Sequence, residues 1–375
     1  MWPQHFRASV TTAAAAFASV SAATGSCPEV PAHTLSSACN GACEVKQACM
    51  APATTSTSCR CFGVGKDQLL VLIPFDKATT AALRASPPAT YETIAGKDDT
   101  ALYSWASNDD LTTIAALNLS SVVSSVYVAS SYFDIVLRGG NSMDGLNKSF
   151  VANVSIDDKF LGGQTQLTWI TIENLDLKDS MSKLAANLPS SLLAISFQNN
   201  LLTEFPTPLT TLTALQTLYD CIQELRTSSR DRVSGMDLGY NNIADINSNH
   251  EMSELTSLIL QTNKISSFTA YFPKLSHLGL SYNQLTAVPE AITKHSLLTS
   301  LYLNGNNIPA FTQSHAIASL ETLTLFMNNM TQFDAILPNL DYLDLSFNDF
   351  TEFPVAIYNS TKLKTLYLIK LVKRA

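Results

Sequence analysis

Apolar side chains recur along this chain in a fixed frame: leucine or its equivalent at the first, fourth and sixth positions, asparagine at the ninth. The frame is read at Leu192-Ile195-Phe197-Asn200, Leu255-Leu258-Leu260-Asn263, Leu275-Leu278-Leu280-Asn283, Leu298-Leu301-Leu303-Asn306, Leu320-Leu323-Leu325-Asn328 and Leu340-Leu343-Leu345-Asn348, while Leu238 and Asn241 close one more. From Leu255 to Leu363 successive frames begin 20 to 23 residues apart. The fourth and sixth positions are two apart, so on a strand they share a face, and that face is the core. A unit of about 22 residues cannot enclose its own leucines, but stacked units bury a continuous core, each enclosed side chain contributing roughly 1.5 to 3 kcal/mol. The pattern predicts a curved solenoid with one short strand per coil and a parallel sheet on its concave side.

Where each strand ends, the backbone amides lose their ladder partners, and a side chain that both donates and accepts can serve them. Asn200, Asn241, Asn263, Asn283, Asn306, Asn328 and Asn348 are therefore expected to form a structural ladder. Thr203-Glu204-Phe205-Pro206, Ala287-Val288-Pro289-Glu290 and Thr351-Glu352-Phe353-Pro354 place proline just beyond it, where the outer arc bends and needs few donors. With these features the chain is identified as a leucine-rich repeat protein, an α/β solenoid of horseshoe form with repeats over residues 167–371.

Upstream the frame weakens. Tyr132-Ile135-Leu137, Val151-Val154-Ile156 and Leu167-Ile170-Ile172 keep the apolar positions but put Gly140, Lys159 and Leu175 in place of asparagine. All three read as early, worn repeats, the first two within a degenerate region, residues 62–166. One interval breaks the period, since Leu215 and Leu255 lie 40 residues apart. Removing residues 219–236 and joining Leu218 to Asp237 shortens it to 22, so that segment, with Cys221, Arg226, Arg230 and Arg232, reads as an insertion, either a loop or a retained intron. The rival is an extra repeat through Val233-Met236-Leu238-Asn241, which leaves Asp220 at a core position, a costly burial unless the charge is paired.

Residues 1–26 have the grammar of a secretory leader: Arg7, an alanine-rich apolar run from Ala13 to Val20, then small residues Ser21, Ala22 and Ala23. No later stretch reaches the about 18 apolar residues that a membrane span needs. Cys27, Cys39, Cys43, Cys49, Cys59 and Cys61 fall in one window, residues 27–61, an even count that suits about three disulfides in an exported amino-terminal cap. Zinc is the competing reading, but no histidine stands beside them in ligand spacing. Sequons head Asn118, Asn147, Asn153, Asn329 and Asn359, expected to be glycosylated on a secreted chain. A net charge of −8 and pI near 5.2 exclude nucleic acid and anionic membrane as ready partners.

The sheet's free face is where function is expected. Trp169, Asp237, His277, Tyr302, Phe326, Tyr342, Asp344 and Tyr367 occupy outward frame positions, with Glu173 beside them. Tyr240, Tyr282, Met327 and Phe347, just before ladder asparagines, extend the set along its edge. Aromatic anchors beside acids fit a ligand-binding surface. No catalytic, cofactor or metal motif emerges: Gly63-x-Gly65-Lys66 is too short for a phosphate loop, and His33, His250, His277, His295 and His315 read as surface or loop histidines.

The leader, the cysteine window ending Cys59-Arg-Cys61 and frames such as Leu340-Asp-Tyr-Leu-Asp-Leu-Ser-Phe-Asn348 resemble the ectodomains of leucine-rich-repeat receptor-like kinases, in the style of oomycete tyrosine-kinase-like receptors. The resemblance implies extracellular recognition of a protein, peptide or glycan, with signalling left to a membrane helix and kinase that this sequence does not contain. A secreted inhibitor of a foreign hydrolase, its acidic face suiting a basic enzyme, and the truncated ectodomain of a membrane receptor kinase are the alternatives.

Overall fold

A computed structural model describes residues 34–36, 38–43, 48–50, 59–62, 64–65, 68–73, 112–114, 133–139, 151–162, 164, 167–215 and 235–369. The expected leader, Cys27, Asn118, Asn147 and Cys221 lie outside these residues, as does nearly all of 219–236.

The protein is a leucine-rich repeat solenoid. Its main sheet has 12 strands in chain order, from Val64–Gly65 and Gln68–Ile73 through Phe133–Gly139, Leu167–Glu173, Ala194–Ser196 and Met236–Asp237 to Thr365–Tyr367. All neighbours are parallel except the first two, which form a tight antiparallel pair. Fourth-position residues meet in register across the repeats: Leu258 with Leu278, then Leu301, Leu323, Leu343 and Leu366. Most of these leucines are fully buried, so the period of the sequence is the stacking period of the core. Ala194–Ser196 pairs directly with Met236–Asp237, and Met236 takes its place in the same buried row.

The outer arcs are short turns. Pro206, Pro289 and Pro354 each precede a 3-10 turn, Thr207–Thr211, Glu290–Lys294 and Val355–Asn359, at φ of −70°, −64° and −71°. There the ring pre-sets the bend and no amide is left unserved. The single α-helix among the described residues is Met181–Ala186. Phe205, Phe268, Phe272, Phe311 and Phe333 fill the space beneath the arcs, with Phe311 and Phe333 stacked at 5.6 Å.

Toward the amino terminus a second wall appears. A 6-stranded sheet runs Leu175–Asp176, Ala152–Ile156, Thr112–Ile114, Thr34–Ser36, Ala48–Met50, Arg60–Phe62. Val151-Val154-Ile156 is therefore no unit of the main sheet. Phe133–Gly139 pairs directly with Leu167–Glu173, Ile135 against Ile170 and Leu137 against Ile172, which leaves no room between them. Ala152–Ile156 instead lines the opposite wall, with Ala152, Val154 and Ile156 inward and Asn153 outward. The last two strands of this wall are antiparallel and carry the cap: Cys39 bonds Cys49 and Cys43 bonds Cys61. Cys59 is also disulfide-bonded. Leu35 and Ala48 join the main core beneath them, so the stapled hairpin closes that end of the solenoid.

Candidate functional site

At the end of each strand the ladder asparagines knit one coil to the one before it. Asn283 Nδ2 donates to the carbonyls of Leu260 and Leu280, each at 3.0 Å, and its Oδ1 accepts from the Ile265 amide at 2.9 Å. Asn306 repeats this with Leu280, Leu303 and Leu285, and Asn328 with Leu303, Leu325 and Ile308. Asn348 does so with Leu325, Leu345 and Met330, and Asn263 with Leu238, Leu260 and Ile243. Asn241 reaches back to Phe197 and Leu202, and Asn200 to Ile172 and Leu175. All are buried with their donors and acceptors committed, which leaves them no proton to exchange with a ligand.

On the open face the structure gathers one group of predicted residues and separates the rest. Tyr302, Thr324, Asp344 and Tyr367 are aligned on successive strands, with Tyr342 beside Asp344. The Tyr342 and Tyr367 rings lie 5.8 Å apart. Burial, with the fields of Asp344, Tyr367 and Tyr302, holds the Tyr342 phenol above its usual pKa, so it remains a hydrogen-bond donor at neutral pH. Phe326 adjoins the group and meets Tyr282 edge-on at 6.3 Å. Trp169 stands several strands away, its indole N–H donating to Thr171 Oγ1 at 3.0 Å. Asp237 also lies apart, accepting from Gln198 Nε2 at 2.6 Å and from the Gly239 amide at 2.9 Å. Glu173 is paired with Arg138 on the adjacent strand, Nε to Oε2 2.7 Å, with both side chains largely buried. Seventh-position residues of opposite charge on neighbouring strands were the available signal for that pair.

The eighth position of each frame has a backbone feature that the sequence does not announce. Asn199, Tyr240, Thr262, Tyr282, Gly305, Met327 and Phe347 all have left-handed φ, between 52° and 62°. Asparagine and glycine adopt this readily, whereas other residues pay roughly 1–2 kcal/mol each.

His250 and His295 are more deeply placed than a surface or loop reading allows, His277 and His315 are half-buried, and His33 lies outside the described residues. His295 is fully buried; its Nε2 accepts from the Phe272 amide at 3.1 Å, and its Nδ1 donates to the Ile292 carbonyl at 3.2 Å. His250 is buried against Phe205 at 4.7 Å, and its Nδ1 accepts from the Asn247 amide, as His315 Nδ1 does from Thr312. A histidine that caps a buried turn looks, in sequence, like one on the surface. His277 Nδ1 lies 2.8 Å from Ser276 Oγ, but that hydroxyl also donates to the Thr256 carbonyl at 3.0 Å. The serine proton is thus turned away from the imidazole, and the two do not form a nucleophile with its base. Burial lowers the pKa of His250, His277, His295 and His315.

The sulfurs of Cys39, Cys43 and Cys49 lie within 4.8 Å of one another because the two bridges pack side by side, and bridged sulfurs are not thiolate ligands. Asn153, Asn329 and Asn359 present exposed side chains. No helix among the described residues is long and apolar enough to cross a membrane.

No family model matches the chain. A curated relative, adenylate cyclase of Schizosaccharomyces pombe, is 26% identical over 224 residues, covering 49% of this chain and 13% of that protein. The chain thus spans about an eighth of the length of that relative. Among solved structures, the leucine-rich repeat domain of APL1B is similar at 16% identity over 81% of this chain and 84% of its own, with a TM-score of 0.43. The APL1 leucine-rich repeat domain gives 14%, 81%, 83% and 0.42. An internalin from Listeria monocytogenes gives 21%, 62%, 66% and 0.37.

Proposed function

We propose that this protein is a non-enzymatic extracellular recognition module that binds a protein, peptide or glycan on the open face of its sheet. The observation that carries this reading is the group of Tyr302, Phe326, Tyr342 with Asp344, and Tyr367 on four successive coils. Strand register holds these rings in place before any ligand arrives, so little side-chain entropy is lost on binding. The acid beside them supplies orientation. The disulfide-stapled cap is compatible with an oxidising, extracellular setting. The resemblance to receptor-kinase ectodomains belongs to the same proposal: capture outside the cell, with any signal carried elsewhere. Asn153, Asn329 and Asn359 are the glycan attachment sites it expects on the described surface.

The test is capture of ligands from glycan and secreted-protein panels by immobilised protein. Replacing Tyr302, Tyr342 and Tyr367 together with alanine is expected to abolish capture, since single hot-spot anchors are typically worth about 2 kcal/mol or more. Glu290→Ala, on an exposed outer arc, is expected to leave capture intact. Binding that depends on Glu290 and not on the tyrosines would move the site off the open face.

A further inference from the structure

Asp344 is an acid without a counterion, set among three phenol rings. Its Oδ1 accepts from the Ser346 amide at 2.9 Å, and its Oδ2 has no hydrogen-bond partner among the described residues. Strand register decides what surrounds it. Tyr302, Thr324, Asp344 and Tyr367 take the same frame position on four successive strands, and Tyr342 projects two residues before Asp344 on the same side of the sheet. Tyr342 lies in the fields of Asp344, Tyr367 and Tyr302, so the four groups stand within reach of one another. The Tyr342 and Tyr367 rings are 5.8 Å apart and inclined at 50°, like two sides of an open V. Tyr302 and Asp344 are two strand spacings apart, about 9.6 Å, with Thr324 between them. Thr324 is 7% exposed, and its hydroxyl has no partner among the described residues. A half-buried carboxylate lacking a cation and a buried hydroxyl lacking a partner both cost free energy that folding does not recover.

Resting on the recognition reading above, we infer that this face seats the guanidinium of an arginine presented by a partner protein. A guanidinium offers five donors and no acceptor, which suits an open carboxylate oxygen flanked by phenol and threonine oxygens. Its planar cation also stacks on a tyrosine face, so a cation–π contact adds to the ion pair. Lysine brings the charge without the plane. A sugar needs donors as well as acceptors, and the third and fifth frame positions of these four coils include no amide and no cation. The described fold supplies no competing cation either. Outward frame positions from Ala194 to Ile369 hold no lysine or arginine, and Lys364, on the edge of the last coil, is committed to Asp341 at 2.6 Å. Lys370, Lys373 and Arg374 follow Ile369 outside the described residues and are tested directly below. The expected glycan positions Asn329 and Asn359 are off this row, one past the ladder and the other on an outer arc.

The probes are N-acetyl-arginine methylamide, the citrulline and lysine methylamides, and the methyl glycosides of mannose, galactose and N-acetylglucosamine. Each is titrated into the intact protein and followed in the tyrosine-ring NMR signals. Citrulline keeps the shape of arginine and lacks its charge. The arginine amide is expected to shift Tyr342 and Tyr367 saturably and to bind at least tenfold more tightly than the citrulline or lysine amide, while the glycosides shift neither ring. Asp344→Asn retains an oxygen for the Ser346 amide, so it is expected to hold its melting temperature and lose at least tenfold in arginine affinity. The combined variant Lys370→Gln, Lys373→Gln, Arg374→Gln is expected to bind arginine as the parent does. Citrulline or lysine binding as tightly as arginine, or undiminished arginine binding by Asp344→Asn, overturns the inference. Saturable glycoside binding at the same rings overturns it in favour of a glycan. Tighter arginine binding by the glutamine variant also overturns it, since the chain's own tail then fills the site. Panel capture that survives Asp344→Asn but is lost with the three tyrosines removes the arginine and leaves the recognition reading standing; capture that survives both removes the recognition reading as well.

Discussion

The ring of Tyr282 occupies the space that a side chain on Gly305 would need: a Cβ built on Gly305 would come 2.4 Å from Tyr282 Cδ1. The glycine is also left-handed, at φ 62°. Two independent penalties therefore meet at one residue. Gly305→Ala is expected to destabilise the fold by about 1 to 3 kcal/mol, combining a left-handed alanine with displacement of the ring. Urea unfolding measures this. A variant as stable as the parent would mean that Tyr282 does not rest there.

Asn283 serves two coils at once, and its loss leaves the Leu260 and Leu280 carbonyls and the Ile265 amide without their partner. Asn283→Ala is expected to cost on the order of 1 to 3 kcal/mol. Thr286→Ala, an exposed change three residues on, is expected to stay within about 0.5 kcal/mol. Ser281 is unsuitable as the comparison because it is buried beside the ladder. Equal melting shifts for Asn283→Ala and Thr286→Ala would contradict the ladder's structural role.

What could be read in the sequence was whatever repeats. Leucines two apart define a strand face wherever they occur, and a ninth-position asparagine recurring with them marks the strand end, so the period alone places Leu278, Leu301 and Asn306. Position on a wall was not readable in the same way. The alternation of Ala152, Val154 and Ile156 would bury one face of a strand in either sheet, and only the direct pairing of Ile135 with Ile170 decides between them. Single residues fared worst. Nothing periodic distinguishes His295 from a solvent-facing histidine, and a tyrosine or phenylalanine gives no hint that its backbone will be left-handed, as at Tyr282 and Phe347. For the candidate site, the named outward residues are exposed or half-exposed, but Ser257, Ser300 and Thr324 at equivalent positions are buried, and Glu173 and Asp237 are held by Arg138 and Gln198.

Acid should weaken this protein through its histidines. Burial is the leading cause that lowers the pKa of His250, His277, His295 and His315 from the ordinary 6.5. Below that value the unfolded chain binds protons that the folded one resists, so stability is fully present above pH 6.5 and is lost as pH falls through the lowered folded values. Melting temperatures taken on either side of pH 6.5 are expected to fall with acidification. His295→Gln keeps an oxygen able to accept from the Phe272 amide but does not titrate, so its slope should be shallower. A protein that melts higher as the pH drops through this window would refute the account.

The remaining prediction concerns the broken period. Ala194–Ser196 pairs directly with Met236–Asp237, and Met236, 1% exposed, occupies the fourth-position row between Ile195 and Leu258. Leu215 is fully buried. If residues 219–236 are an insertion, deleting them joins Leu218 to Asp237 and puts a leucine where Met236 now sits, while Leu238 and Asn241 keep their places. The deleted protein is then expected to be secreted at least as well as the parent and to melt no lower, since a long loop that contributes no core costs only its closure entropy. If the segment instead supplies a repeat of its own, its removal takes out buried contacts on both sides. Secretion would then drop, and the melting temperature would fall by several degrees. Circular dichroism melts of the two purified proteins, read beside their yields in the medium, decide between a loop that the solenoid tolerates and a coil that it needs.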